Sequence, residues 1–375
     1  MKILFPVNTR VLKRAREQAG FTIEDVRDEF KKIELWESGQ ETPTYSAIKK
    51  ISKKYKKPSA YFLFPAPVID KERLEKFRNM RDGKLPPNLI YLVNKAIKYQ
   101  DNLKSIFIDR DKEYPHFSKI KIDLKEPKTS ARNTLEYIDE YFSDLNDNRE
   151  GRLKNIRSVL EAMGIFVFKD DFSTRIGRGS EKADEDGFCI YDEDFPIIVL
   201  NNNTAQQRQL FTLCHELFHI LLGSDSLVSA TDSYQEELVA NIFASEFLVP
   251  QQSLRQYIKQ NNFNSTHLSD EETIKKIANH YEVSRYVIAI KLSEINVIDN
   301  ILKNTYLNKF KKDAKNYKKS SRGGNYYFTN RAYLSPRYVD AVSSLYHEGK
   351  LTPTDLGKSL SMKPAIAHRF VREFV

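Results

Sequence analysis

Cysteine is nearly missing from this chain: Cys189 and Cys214 are the only two in 375 residues. Two thiols cannot build a disulfide framework, and such scarcity suits a reducing cytoplasm. No run approaches the roughly 20 apolar residues of a membrane span, so no transmembrane helix and no membrane partner are expected. The opening residues Met1-Lys2-Ile3-Leu4-Phe5-Pro6 carry too short an apolar stretch for a signal peptide. Internal repeats and long low-complexity segments are absent as well. What remains is an ordinary globular composition, 40% hydrophobic and 12% aromatic, long enough for two or three domains with packed cores. The formal charge of +9 is compatible with nucleic-acid binding but does not establish it. Much of the excess is local, in Lys309, Lys311, Lys312, Lys315, Lys318, Lys319 and Arg322, which read as a solvated linker.

Histidine is also scarce, with seven in the chain, yet two of them stand in His215-Glu216-Leu217-Phe218-His219. With so few histidines, chance would produce this spacing in only about one such chain in a hundred. The motif lies in an apolar run from Leu210 to Leu222, too long for a typical strand and helix-forming in composition. On a helix, residues four apart share a face, so both imidazoles can converge on one metal ion. Glu216 is turned by about 100° from His215, beside the metal, where a general base for a metal-bound water belongs. Cys214 lies around the helix from that face and reads as a small core residue.

A catalytic zinc needs a third protein ligand. Glu237, in Glu236-Glu237-Leu238-Val239-Ala240-Asn241-Ile242-Phe243-Ala244, is the favoured candidate. On a helix it shares a stripe with Ala240, Asn241 and Ala244, whose small size would let two helices approach closely. Glu236, about 100° away, reads as solvent-facing, with a one-residue shift of assignment as the alternative. His280, Tyr281 and Tyr234 are candidates for oxyanion stabilisation by residue type only, with ordinary core or surface roles as the alternative.

The rest of the chain frames this segment. Residues 1–67 read as a small helical domain punctuated by Gly20, the turn at Gly39 and Pro43, and residues 68–147 as a helical connector. Residues 148–300 hold the metal motif, preceded by short strands at Ile165-Phe168, Phe188-Tyr191 and Pro196-Leu200. Asn201-Asn202-Asn203-Thr204 offers N-cap residues for the metal helix, and the strand Ile197-Leu200 is a candidate to pair with an extended substrate. Residues 301–375 read as a basic linker and a C-terminal helical domain. There Leu356-Gly357-Lys358-Ser359-Leu360-Ser361-Met362-Lys363 has a helix-turn-helix flavour, with a packing or dimerisation unit as the alternative. The expected class is α+β, mainly helical, with a small sheet.

Two resemblances sharpen the reading. Trp36-Glu37-x-Gly39, Pro43-Thr44 and Lys57-Pro58-Ser59-Ala60-Tyr61-Phe62-Leu63-Phe64-Pro65 resemble the Xre-type helix-turn-helix domain that is fused to ImmA/IrrE-family metallopeptidases. Only five residues separate Phe30 from Trp36, so its recognition helix would present few side chains to a major groove. Protein docking or a structural role is therefore favoured over DNA binding for this domain. Arg208-x-x-Phe211-Thr212-x-x-His215-Glu216-Leu217-x-His219, Glu237-x-x-Ala240-Asn241-x-Phe243-Ala244 and Phe247-Leu248-Val249-Pro250 resemble the ImmA/IrrE family itself. Ile277-Ala278-x-x-Tyr281-x-Val283-Ser284, Gly324-Asn325-Tyr326-Tyr327 and the tail from Leu334 to Pro364 extend the likeness over nearly the whole chain.

The resemblance implies a zincin-like core, with zinc held by His215, His219 and Glu237 and with Glu216 as general base. Manganese or iron would also suit a His₂Glu site. Gly223 departs from members that carry a further histidine there, which removes one candidate partner for the site's histidines. The implied function is a zinc endopeptidase cleaving a regulatory protein, a repressor or an antitoxin-like partner encoded nearby. The alternative is a non-catalytic or weakly catalytic regulator that binds a protein or DNA.

Overall fold

The computed structural model describes residues 4–63, 86–107, 117, 120–142, 151–172, 185–225, 233–315 and 331–375. The motif residues Phe64-Pro65 and Gly324-Asn325-Tyr326-Tyr327, and Lys318, Lys319 and Arg322 of the basic run, lie outside these. Among these residues the protein is mainly helical, with one three-stranded sheet. It divides into two units, Met1–Ile97 with Asp171–Asp184, and Lys98–Asp170 with Glu185–Val375. Among the described residues, no helix is long and apolar enough to cross a membrane.

The first unit is built from α1 (Thr9–Gln18), α2 (Ile23–Arg27), α3 (Ile33–Ser38) and α4 (Tyr45–Tyr55), followed by a 3₁₀ turn at Ser59–Leu63. Local chemistry sets each boundary. Asn8 and Thr44 cap α1 and α4, and Thr22 with Asp25 forms a reciprocal capping box at α2. Val11, Leu12, Ala15, Val26, Ile33, Ile48 and Ile51 are wholly buried in one core. The α5 helix (Pro87–Phe107) begins in this unit and continues into the second.

In the second unit the helices α6 (Pro127–Phe142) and α7 (Arg152–Ala162) precede the sheet. Strand β1 (Phe166–Asp170) runs parallel to β3 (Ile197–Asn201), and β2 (Gly187–Ile190) runs antiparallel to β3. The order is therefore β1-β3-β2. Ile197-Ile198-Val199-Leu200 suits a central strand buried on both faces, and every residue of β3 is buried. This corrects the expectation that Ile197-Leu200 receives substrate, because both of its edges are already paired.

The helix α8 (Gln206–Leu222) packs over β2 and β3, and α9 (Ser233–Leu248) packs against both α8 and α6. The cap of α8 is not drawn from Asn201-Thr204 as expected. Its N-cap is Ala205, without a side-chain bond. The polar residues close their own turn instead: Asn201 Oδ1 accepts from Asn203 N at 3.0 Å, and Thr204 Oγ1 donates to the Asn201 carbonyl at 3.0 Å.

Beyond α9 come α10 (Gln251–Gln260), α11 (Ser265–Leu268), α12 (Glu271–His280), α13 (Arg285–Glu294) and α14 (Asn300–Lys315). The start of the expected basic linker is thus helical, anchored in the core by Tyr306 and Phe310. Lys309 is paired with Glu271 at 2.5 Å. The chain closes with α15 (Pro336–His347), α16 (Pro353–Ser359) and α17 (Pro364–Phe374).

The C-terminal helices are fastened through buried polar groups. Ser335 caps α15 and donates through Oγ to Glu161 Oε2 at 2.6 Å, while the Arg157 guanidinium donates to the carbonyls of Ala332 and Leu334. Burial pushes the Glu161 carboxyl upward, against the pull of Arg157, Ser335 and the backbone N–H groups of Val167 and Arg337. The Tyr338 hydroxyl, also buried, donates to the Ser359 carbonyl and accepts from Asn102 Nδ2.

Candidate metal centre

His215 and His219 lie one turn apart on α8, on the face that meets α9. Ala240 and Ala244 of α9 are wholly buried, and their small side chains allow the close approach expected from the sequence. Glu237 is thereby brought to both imidazoles. Its two carboxylate oxygens lie 3.1 Å from His215 Nε2 and 3.4 Å from His219 Nε2, and the two Nε2 atoms are 3.3 Å apart. One ligand atom from each of the three residues can therefore meet at a single point. His219 is 1% exposed, His215 14% and Glu237 40%, so the cluster is open on the Glu237 side.

Both Nδ1 atoms point away from that point and are engaged. His215 Nδ1–H donates to Asn241 Oδ1 at 3.2 Å, and His219 Nδ1–H donates to Glu236 Oε1 at 2.9 Å. With the outer nitrogens as donors, both Nε2 atoms present lone pairs to each other and to a carboxylate. Such a convergence of acceptors calls for a cation. The spacing suits one: ligands at 2.0–2.1 Å from a tetrahedral zinc stand about 3.3–3.4 Å apart, the two Nε2 atoms are 3.3 Å apart, and one atom from each of the three residues lies within 4.8 Å of the others. A proton can meet that call as well as a metal ion can: burial pulls the His219 imidazole toward neutrality, but its bonds to Glu236 and Glu237 win and raise its pKa to about 9, so a metal ion at Nε2 displaces a proton. The same imidazoles hold the Glu237 carboxyl well below the usual carboxylate range, against its own partial burial.

Glu216 is 4% exposed, and its Oε2 is buried with no hydrogen-bond partner. A buried carboxylate oxygen left without a donor, close enough to His219 to act on its charge, is free to accept a hydrogen bond or a proton. Cys214 is buried, and burial pushes its thiol up to about 12, which keeps it protonated and inert as expected.

Glu236 is the main correction at the site. It is not turned to solvent, because the crossing of α8 and α9 places consecutive carboxylates of α9 against different atoms of the histidine pair. Glu237 faces both Nε2 atoms, and Glu236 faces His219 Nδ1. Gly223 ends α8 with φ 84, a conformation in which a histidine would be strained. That turn returns the chain so that Ser224 Oγ donates to Glu236 Oε1 at 2.9 Å. Glu236 Oε1 thus accepts from both His219 and Ser224. Asn241 was visible in the sequence only as a small stripe residue, and its bond to His215 gives it a positioning role.

The candidates for oxyanion stabilisation are not brought to this cluster by any described contact. His280 stacks on Tyr257 with centroids 4.0 Å apart, and the Tyr281 hydroxyl is bonded to Ser253 Oγ at 2.9 Å. The side chain of Tyr234 lies outside the described residues.

Residues 160–293 match the model of the peptidase M78 family, the IrrE N-terminal-like domain. This IrrE-like segment runs from the end of α7 into α13 and contains all four residues of the candidate centre. It supports a metallopeptidase-type function, and the His215, His219 and Glu237 cluster accords with the metal dependence typical of that family. No match was found among curated proteins.

Proposed function

We propose that this protein is a zinc-dependent endopeptidase that cleaves a regulatory protein, with His215, His219 and Glu237 as metal ligands and Glu216 as general base. The observation that carries this reading is the convergence of three ligand groups beside a buried carboxylate oxygen that has no partner. Zinc bound there supplies Lewis-acid activation of a water molecule and of the scissile carbonyl. Glu216 Oε2 accepts the proton of the attacking water and then passes it to the leaving amine nitrogen. Asn241 and Glu236 hold the two imidazoles in the tautomer that turns Nε2 inward. The substrate proposed is a repressor or antitoxin-like protein encoded beside this chain.

Metal removal tests the assignment directly. Chelation should abolish cleavage and lower the melting temperature, and a stoichiometric addition of zinc should restore both. Saturation at 100 times the dissociation constant stabilises a folded protein by about 2.7 kcal/mol. Manganese or iron restoring activity where zinc does not would reassign the metal. An unchanged melt and undiminished cleavage after complete chelation would remove the metal from the mechanism.

Glu236→Ala should weaken zinc binding by about 10–100-fold, because His219 loses the acceptor that fixes its ring. Competition against a chromophoric chelator measures this without reference to turnover. Equal affinity in both proteins would show that the Glu236 bond does not orient a ligand.

A further inference from the structure

We propose that α16 and α17 form a DNA-binding helix-turn-helix, with α17 as the helix that enters the major groove. Four residues, Leu360 to Lys363, join the two helices, and a connection of three or four residues is what such motifs use. Two stereochemical features make the corner. Ser361 takes a left-handed conformation with φ 55, which reverses the chain between the helices. Gly357 lies where the second helix begins against the first. A Cβ there would stand 2.9 Å from the Met362 carbonyl oxygen and 3.0 Å from the Pro364 nitrogen. A side chain at 357 would force the two helices apart. Met362 N donates to the Gly357 carbonyl at 2.8 Å and closes the turn.

One apolar seam holds the pair together. Leu356, Leu360, Met362, Ala367, Phe370 and Val371 are all buried. The opposite face of α17 and its approach are left to solvent: Lys363, Ala365, His368, Arg369 and Arg372 are exposed. Positions 365, 368, 369 and 372 recur at helical spacing and form a single stripe.

The chemistry of this face suits a polyanion. Its carboxylates are already engaged, Glu373 with Arg369 at 2.9 Å and Asp355 with Lys358 at 3.4 Å. Lys363 and Arg372 make no ion pair among the described residues. No exposed side chain described on α17 is large and apolar, whereas a protein-docking face would be expected to supply such anchors. The α2–α3 pair of the first unit has the opposite character. It exposes Glu24, Asp25, Asp28, Glu29 and Glu34 against Arg27, Lys31 and Lys32, and α3 is only six residues long. Of the two helix pairs, the C-terminal one has both the geometry and the charge for duplex DNA.

Fluorescence anisotropy of the full chain with a labelled random-sequence duplex of about three helical turns tests the proposal. Binding should appear at about 50 mM salt and fall steeply toward about 200 mM. Arg369→Ala with Arg372→Ala should weaken binding at least about tenfold and lessen the salt slope by about 2. Both side chains are exposed, so the thermal melt should match that of the parent. If it does not, Arg372→Lys, which keeps the charge, should retain the parental slope, and loss of slope in it counts against the proposal. No binding by the parent at low salt would overturn it. Equal affinity and slope in the double variant would also overturn it, and would point to another cationic surface, such as Lys49, Lys50 and Lys53 of α4. A change of oligomeric state in the double variant with no effect on DNA would identify the face as a contact between copies.

Discussion

Glu216→Gln should leave the protein folded and metal-loaded yet lower peptide cleavage by about 10²–10⁴-fold, the usual contribution of a general base. Glutamine keeps the volume of the side chain and its place on α8, but its amide cannot take up a proton at neutral pH. No described ligand atom is altered, so elemental analysis should find as much zinc in the variant as in the parent. Co-expression with the neighbouring gene product, followed by mass spectrometry, reads the outcome. A fragment seen with the parent and missing with Glu216→Gln would establish proteolysis and give the cut site. Cleavage at the parental rate would remove Glu216 from the mechanism. A partner that co-purifies intact with both proteins would favour a regulator that binds without hydrolysis.

Lys291→Ala should destabilise the second unit by about 3 kcal/mol, the lower end of the range for stripping one partner from a buried ion pair. Lys291 and Glu246 are both fully buried, with Nζ 2.5 Å from Oε2. Removing the ammonium leaves the Glu246 charge inside the core. Some compensation survives, since Gln251 N donates to Glu246 Oε1 at 3.1 Å and Arg132 lies 3.4 Å away. A shift of roughly 6–12 °C in melting temperature follows for a unit of this size. Replacing both partners, Lys291→Met with Glu246→Leu, should recover most of the loss, because no charge is then left unpaired. A loss below about 1 kcal/mol for Lys291→Ala would mean that water or Arg132 already satisfies Glu246. Glu246 lies on α9, the helix that also carries Glu237. Lys291 and Glu294 come from α13, and Lys128 and Arg132 from α6, so the network ties the helix that carries Glu237 to two others.

The connector reading of residues 68–147 held no chemistry, and it gave no sign that Lys128 and Arg132 of α6 take part in this network. Long charged side chains on an amphipathic helix look alike in sequence whether they face water or a buried carboxylate. The partner decides which.

What the sequence determined by itself was local. The 3.6-residue period places His215 and His219 on one face and turns Glu216 away from them, and the same period aligns Glu237 with Ala240, Asn241 and Ala244. Those relations follow from backbone geometry within one helix and need no knowledge of its neighbours. Helix ends at Gly39 and Gly223, and the caps at Thr22 and Thr44, are equally local. The tertiary structure decided everything that depends on how separate elements cross. It made β3 the central strand, and so closed the edge that an isolated apolar run offers. It set consecutive glutamates against different atoms of two histidines, and it buried Lys291 against Glu246. Strand order and helix crossing are fixed by side chains far apart in the chain, through packing that no single segment encodes.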